Sequence, residues 1–383
     1  MNQKIIYLDH NATTPIAPEV LTEMLPYLAD LYGNPSSSYA FSKPIKKAIQ
    51  QARNTVAQLL NAQREEIIFT SCATESNNTA INNAIQNNPQ KKHLITTQVE
   101  HSSVLATMAD LEQKGYRVTY LAVDQKGCLD LNELKQAINE DTLLITVMYA
   151  NNEIGNIYPI AEISKIAQEH NILFHVDAVQ AVGKIKIDVQ ALGIDSLALS
   201  GHKINAPKGI GVLYLKQGTP FKPYLFGGHQ EQGRRGGTEN VAGIIGLGKA
   251  CALIMNDDYQ FNNQLRKLRD SFEEQLKANI TGVTIYGDLQ NRLTNTSSIA
   301  FEGVKGDELL MLLESFNVFV ATGSACNSAE AKPSHVLTAC HIDFTNSSPI
   351  RVSFGKNNTQ AEVDLVVKNL INIVNNIRKK NQS

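Results

Sequence analysis

Between residues 66 and 215 the chain repeats short apolar runs: EIIFTS, HLITT, RVTYLAV, LLITVMY, ILFHVDA, SLALS and GVLYL. Their apolar positions are consecutive rather than alternating. This is the pattern of strands covered on both faces, and it predicts an α/β fold on a mainly parallel, seven-stranded sheet. The intervening segments ATESNNTAINNAI, HSSVLATMADLEQKG and PIAEISKIAQEH repeat apolar residues at helical spacing, and Pro159 fits a first helical turn. Long helices are expected over 240–279. A second pattern follows, with strands near 283–286, 296–301 and 349–354 and helices near 306–316 and 359–379, which reads as a smaller α+β domain. The expected division is a large domain over 15–255 and a small domain formed by 1–14 and 256–383.

Length supports two domains, because 383 residues exceed what one core usually holds, and 43% apolar residues give ample material for both. A net charge of -2, with only a terminal RKK as a basic run, argues against nucleic-acid or membrane-surface binding and leaves small molecules and proteins as partners. No apolar stretch approaches the ~18 residues of a membrane span, and MNQKIIYLDHNATTP has no signal-peptide core, so a cytoplasmic protein is expected. The five cysteines, at 72, 128, 251, 326 and 340, are odd in number and form no CxxC pair. That speaks against a disulfide framework or structural zinc, and the thiols are expected to be reduced.

Four segments carry candidate chemistry. ATGSACNSAEAKPS places Cys326 among small and polar residues, a loop that leaves the sulfur accessible either as a reactive thiol or as an ordinary surface cysteine. In IIFTSCATES a strand runs into Thr74 at a helix start, a seat for a phosphate or a simple cap. ILFHVDAVQ delivers Asp177 to a strand end with Gln180 one turn on. A carboxylate there needs a cationic partner, such as a protonated pyridine nitrogen, unless it caps a turn. SLALSGHKINAPKGIG puts Ser200, His202 and Lys203 directly after a strand. A desolvated lysine at such a place bonds an aldehyde, although a single lysine is more often merely exposed. Together a phosphate seat, a carboxylate for a ring nitrogen and an amine for an aldehyde describe pyridoxal 5'-phosphate.

The segments YLDHNATTP, YGNPSS, ATESNN, EHSSV, NNEIG, HVDAVQ, SGHKINAPKGIG, GGHQEQGRRGGTEN, GSACNS and RVSFG occur in the order seen in group I cysteine desulfurases of the NifS/IscS type. The chain resembles that family, within the class V aminotransferase superfamily, over nearly its whole length. The resemblance implies fold type I of the pyridoxal-phosphate enzymes, a homodimer, and removal of sulfur from L-cysteine to leave L-alanine. Lys203 then matches the lysine bonded to the cofactor, Asp177 the partner of the ring nitrogen, Gln180 the contact to the ring hydroxyl, and His101 the histidine stacked on the ring that assists proton transfer. Thr74, Ser200 and His202 match phosphate ligands, Ala73 a further cofactor contact, and Thr238 a phosphate ligand donated across the dimer. Asn152 matches a residue near ring and substrate, and Asn34 and Arg351 match groups that hold the substrate carboxylate. Cys326 matches the nucleophile, which takes the substrate's sulfur as a persulfide once a proton acceptor, His101 or the substrate amine, has ionised it.

The implied partners are L-cysteine, a second copy of the chain, and an iron–sulfur scaffold or another sulfur acceptor for thiolation. No resident metal is expected, with Cys326 available as a transient iron–sulfur ligand. The loop at about 321–334 would have to move between the cofactor and a partner protein, anchored where Pro333 starts the helix PSHVLTAC. Two positions depart from the family pattern: Cys72, where glycine is common, reads as an inert small residue, and Tyr39 stands where a histidine is common. Alternatives on the same fold are a selenocysteine lyase or a class V aminotransferase. A different class would be a scaffold-binding component without turnover.

Overall fold

The computed structural model describes residues 4–322 and 333–382. Cys326, and with it the expected moving loop, lies outside the described residues. The apolar runs between 66 and 215 form one seven-stranded sheet, in the spatial order Ile67–Thr70, Gly211–Leu215, Ser196–Ser200, Leu173–Asp177, Thr142–Met148, His93–Thr97 and Arg117–Leu121. Gly211–Leu215 runs antiparallel to both of its neighbours, and the other pairings are parallel. Thr142–Met148 and Ser196–Ser200 are buried at every residue, which is why their sequences show no alternation. Six strands therefore share one direction, and their carboxyl ends gather along a single edge of the sheet. Ligands of open α/β sheets bind at such an edge.

Helices Ala73–Asn87, Ser102–Gln113 and Ile160–Glu169 follow three of these strands, as the periodicity predicts. Pro159 stands one residue ahead of its helix rather than inside the first turn, because its ψ of 68° is not helical. The stretch 240–279 divides into Val241–Asp257 and Phe261–Asn279, where Asp258 and Tyr259 take left-handed φ angles of 44° and 60°. Helices Pro18–Ala29 and Lys43–Leu60 were absent from the sequence expectations, and both pack on Val241–Asp257. Gly248 permits that approach, since a Cβ there would lie 2.7 Å from Ala52 Cβ.

A four-stranded antiparallel sheet carries the second expected pattern, in the order Ala321–Thr322, Ile350–Ser353, Thr296–Phe301 and Val283–Tyr286. Its core includes Ile6, Leu8, Phe272, Phe301 and Val352 and takes residues from helices Phe261–Asn279 and Gln360–Gln382. The core around the large sheet also takes Leu293, Val336, Leu337 and Cys340 from the later part of the chain. Ile6–Tyr7 pairs with Val318–Phe319, and the next residues cross to the large sheet, where Thr14 N–H donates to the His202 carbonyl. Beyond residue 332 the helix is His335–Ala339. It begins after Ser334, whose Oγ accepts from Leu337 N–H, and not at Pro333.

Candidate active site

A cavity of about 440 Å³ opens at the carboxyl edge of the large sheet, lined among others by Ala73, Thr74, His101, Asn152, Asp177, Gln180, Ser200, His202, Lys203 and Arg351. Strand Leu173–Asp177 ends in Asp177, 5% exposed. Its Oδ2 accepts from Asn77 Nδ2 at 2.7 Å and its Oδ1 from Val179 N–H at 3.0 Å. Asn77 cannot turn its amide over, because its Oδ1 faces His175 Nε2 at 2.9 Å. Burial pushes the His175 imidazole down to about 3, so the ring is neutral, and because Asn77 must give its Nδ2 to the Asp177 carboxylate, its Oδ1 accepts and His175 Nε2 donates. The carboxylate is thus oriented by two N–H donors while its side chain faces the cavity.

Lys203 closes a short turn, Gly201–Lys203, directly after strand Ser196–Ser200. A Cβ on Gly201 would lie 2.8 Å from Ile210 Cγ2, so glycine allows the tight exit that brings the lysine inward. Lys203 Nζ donates to the carbonyl oxygens of Asn11 at 2.6 Å and Ala12 at 2.8 Å. Burial, and then the nearby Arg351 guanidinium, bring its pKa down to about 8. The amine is therefore far more available at neutral pH than that of an ordinary lysine.

His101 caps helix Ser102–Gln113, with Nδ1 accepting from Ser103 N–H at 3.1 Å. Burial lowers its pKa. With Nδ1 occupied as an acceptor, the neutral ring carries its proton on Nε2 and offers a donor. Ser200 is 4% exposed at its strand end, and His202 Nδ1 lies 3.1 Å from Thr13 Oγ1, with burial bringing its imidazole down to about 4. Cys72 takes the cap position of helix Ala73–Asn87 without a side-chain cap bond, so Thr74 is not the capping residue. The amino end of that helix borders the cavity and favours an anion. Arg351 donates to Asn152 O at 3.0 Å and to Asp9 Oδ1 at 2.6 Å, while its buried Nε has no partner among the described residues.

Two expected residues are not in this cavity of the single chain. Asn34 is exposed, and its Oδ1 accepts from Ser36 N–H at 2.8 Å. Thr238 lines a separate pocket with Ser71 and Arg235. Its loop is pinned by a buried bidentate pair between Arg53 and Glu231, at 2.7 Å for each contact. Tyr39 is 54% exposed and does not line the cavity, whereas Cys72 does. Asn11, Asn77, Ser103 and His175, which orient the site, were not singled out from the sequence. Among the described residues no group of three or more His, Cys, Asp or Glu could hold a metal, and no helix is long and apolar enough to cross a membrane.

The aminotransferase class-V model matches residues 6–366. The chain belongs to that family. A protein named cysteine desulfurase from Nostoc sp. (strain PCC 7120 / SAG 25.82 / UTEX 2576) is 48% identical over 375 residues, which cover 98% of this chain and 94% of the relative. A solved NifS-like protein superposes with a TM-score of 0.91 at 36% identity, covering 97% of this chain and all of the other. A structure described as SspA in complex with cysteine gives a TM-score of 0.82 at 36% identity, with 92% of this chain and 100% of the other covered. The fold is accordingly that of the fold type I pyridoxal-phosphate enzymes, as the motif order implies.

The residues of the cavity fit pyridoxal 5'-phosphate. Asp177 is an oriented carboxylate for a ring nitrogen, Lys203 is an amine of lowered pKa for the aldehyde, and the helix amino end with Ser200 and His202 forms a polar seat for a phosphate. Gln180 and His101 border the same space. Arg351 borders it too, its terminal nitrogens held by Asn152 O and Asp9 Oδ1.

Proposed function

We propose that this protein is a pyridoxal 5'-phosphate-dependent cysteine desulfurase. It converts L-cysteine to L-alanine and passes the sulfur, held as a persulfide on Cys326, to acceptor proteins for iron–sulfur cluster assembly and other thiolation. The observation that carries the reading is the convergence of Lys203, Asp177 and Arg351 on one cavity, in a chain similar over nearly its full length to proteins named cysteine desulfurase. Their names supply the substrate, and the cavity's donors suit a small amino acid with a free carboxylate.

The bound cofactor would supply a ring that withdraws electrons from the substrate's α-carbon. Asp177 would hold the ring nitrogen in its charged form, Gln180 the ring hydroxyl, and Thr74, Ser200, His202 and the backbone at Ala73 the phosphate, with Thr238 added from a second copy of the chain. Lys203, neutral above about pH 8 and partly so below it, takes the α-proton as general base. Arg351, which lines the cavity, would meet the substrate carboxylate through its guanidinium, with Asn152 beside it and Asn34 as a further carboxylate contact. His101 presents Nε2–H and so acts as a proton donor toward the cavity. The proton of the Cys326 thiol falls to the substrate amine as the substrate enters, before that amine is committed to the cofactor. The Cys326 thiolate forms a bond to the substrate sulfur as the carbon–sulfur bond breaks. The electron pair stays with the carbon, which a proton completes to the methyl group of alanine.

The division into 15–255 against 1–14 with 256–383 is part of this reading and is supported by the core that joins Ile6 and Leu8 to residues between Leu265 and Ile377, although Leu293, Val336, Leu337 and Cys340 pack with the large sheet. So are a homodimer, for which Thr238 outside its own chain's cavity is the supporting observation, and a cytoplasmic setting, where reduced thiols persist. The test is product analysis. Purified protein with pyridoxal phosphate and L-cysteine should release alanine stoichiometrically, and the peptide containing Cys326 should gain the mass of one sulfur atom. A keto acid in place of alanine, or turnover of selenocysteine without cysteine, would overturn it.

A further inference from the structure

Lys184 lies four residues beyond Gln180, on the turn that follows strand Leu173–Asp177. Its Nζ donates to the Gln180 carbonyl oxygen at 3.1 Å and to Gln180 Oε1 at 3.3 Å. Gln180 Nε2 donates in the opposite direction, to the Asn11 carbonyl at 2.8 Å, and the side chain is only 4% exposed. The Asn11 carbonyl is an acceptor only, and Lys184 Nζ has N–H groups to donate both as the ammonium and as the neutral amine that burial makes accessible by bringing its pKa down to about 7. The two neighbours therefore fix which end of the amide is oxygen and which is nitrogen. One N–H of Gln180 is committed to Asn11, and the second belongs to a side chain that lines the cofactor cavity.

From this geometry we infer that Lys184 is a positioning residue: its bond to Oε1 holds the Gln180 amide so that an N–H, not an oxygen, is offered to the cofactor's ring oxygen. The inference rests on the reading of Gln180 as the ring-hydroxyl contact. Asn11 alone is a weaker lock, because it holds only the nitrogen end of the amide and leaves Oε1 in need of a donor. Among the described residues Lys184 is the group that donates to Gln180 Oε1. Without it a buried carbonyl oxygen would be orphaned, and turning the amide toward the cavity would relieve that cost. A turned amide would aim a lone pair at the ring oxygen. The function of the site and the amine's own burial thus explain each other: a lysine placed here contacts no substrate, yet it sets the polarity of a residue that does contact the cofactor.

The test reads the cofactor's spectrum in the holoenzyme rather than turnover. A donated N–H favours the deprotonated ring oxygen, so its loss moves the pH midpoint of the visible absorption upward. Lys184→Met keeps the length and removes the donor, and Gln180→Leu removes the contact itself. Each should raise the midpoint by about 0.5 or more, and the double variant should go no further than Gln180→Leu alone, the non-additivity expected of residues acting through one bond. If Lys184→Met does not fold, Lys184→Leu, which likewise has no donor, is read in the same way. A shift in Gln180→Leu with none in the Lys184 variant, or additive shifts, would overturn the positioning role while leaving the Gln180 reading intact. An unmoved midpoint in Gln180→Leu would instead remove the reading on which the inference stands.

Discussion

Lys203 Nζ lies 2.6 Å from the carbonyl oxygen of Asn11, 192 positions earlier in the chain. The Asn11 and Ala12 carbonyls favour the charged amine, yet burial wins and the pKa falls to about 8. Only the neutral amine attacks an aldehyde, so the reactive fraction rises with pH and saturates above the pKa. Capture of pyridoxal phosphate by cofactor-stripped protein should climb between about pH 7 and 8 and level off beyond it. An ordinary lysine, near ~10.4, would keep gaining about tenfold per pH unit up to about pH 10. Stopped-flow absorbance across this range distinguishes the two, and a rate still rising at pH 10 would contradict a lowered Lys203.

Asn77 joins His175 to Asp177 by accepting from one and donating to the other. Asn77→Ala would leave His175 Nε2–H unpartnered in a fully buried place, a loss on the order of 1–3 kcal/mol. Asn77→Asp would go further, since it sets a second carboxylate against Asp177. Both variants should melt at lower temperature and lose cofactor on dialysis, with the Asp variant worse. Equal cofactor retention in Asn77→Asp and the parent would remove the orienting role of the amide.

The strands were legible because burial on both faces writes itself as consecutive apolar residues, and Asp177 and Lys203 stood out as polar groups at strand ends. Helix Lys43–Leu60 was equally legible, with Ile45, Ile49, Ala52 and Val56 at helical spacing on its buried face, although it was not among the elements expected. What lay beyond the sequence were the pairings that orient the site. Asn77 meets Asp177 across 100 positions and Asn11 meets Lys203 across 192, and a hydrogen bond between such distant residues leaves no local periodicity. The Nδ1 bond of His101 decides which proton the ring offers, and it too is a matter of geometry. Thr238 and Asn34 carry family motifs yet stand apart from their own chain's cavity, which a linear pattern cannot express.

Sulfur chemistry and cofactor chemistry should separate in Cys326→Ala. That variant should retain the cofactor and respond to L-cysteine with a change in visible absorbance, but release no sulfide under reducing conditions. In the parent protein, mass spectrometry after a single turnover should find the added sulfur on the Cys326 peptide. Cys251 and Cys340 are buried and their thiols are pushed up to about 12, so neither competes as a thiolate. Sulfur found instead on Cys72, which borders the cavity, would move the nucleophile there.

Glu100 is wholly buried next to His101, with Oε1 accepting from Met148 N–H at 2.8 Å and Thr97 Oγ1 at 2.9 Å. Its Oε2 and the Tyr158 hydroxyl have no partner among the described residues. Burial, with Asp177 adding to it, raises the carboxyl from its ordinary 4.5 to about 8. The folded protein therefore keeps this proton at neutral pH while the unfolded chain releases it. Stability from the neutral carboxyl is fully present below about pH 4.5, declines as pH rises, and is lost by about pH 8, a change of at most about 5 kcal/mol. Glu100→Gln preserves the shape and the Oε1 acceptor but has no proton to lose. Its melting temperature relative to the parent should improve steadily from about pH 5 to 8, by several degrees in all, and stay level above. A difference that does not change with pH across that interval would mean that Glu100 is already ionised in the folded protein, and the burial argument for its neutral form would fail.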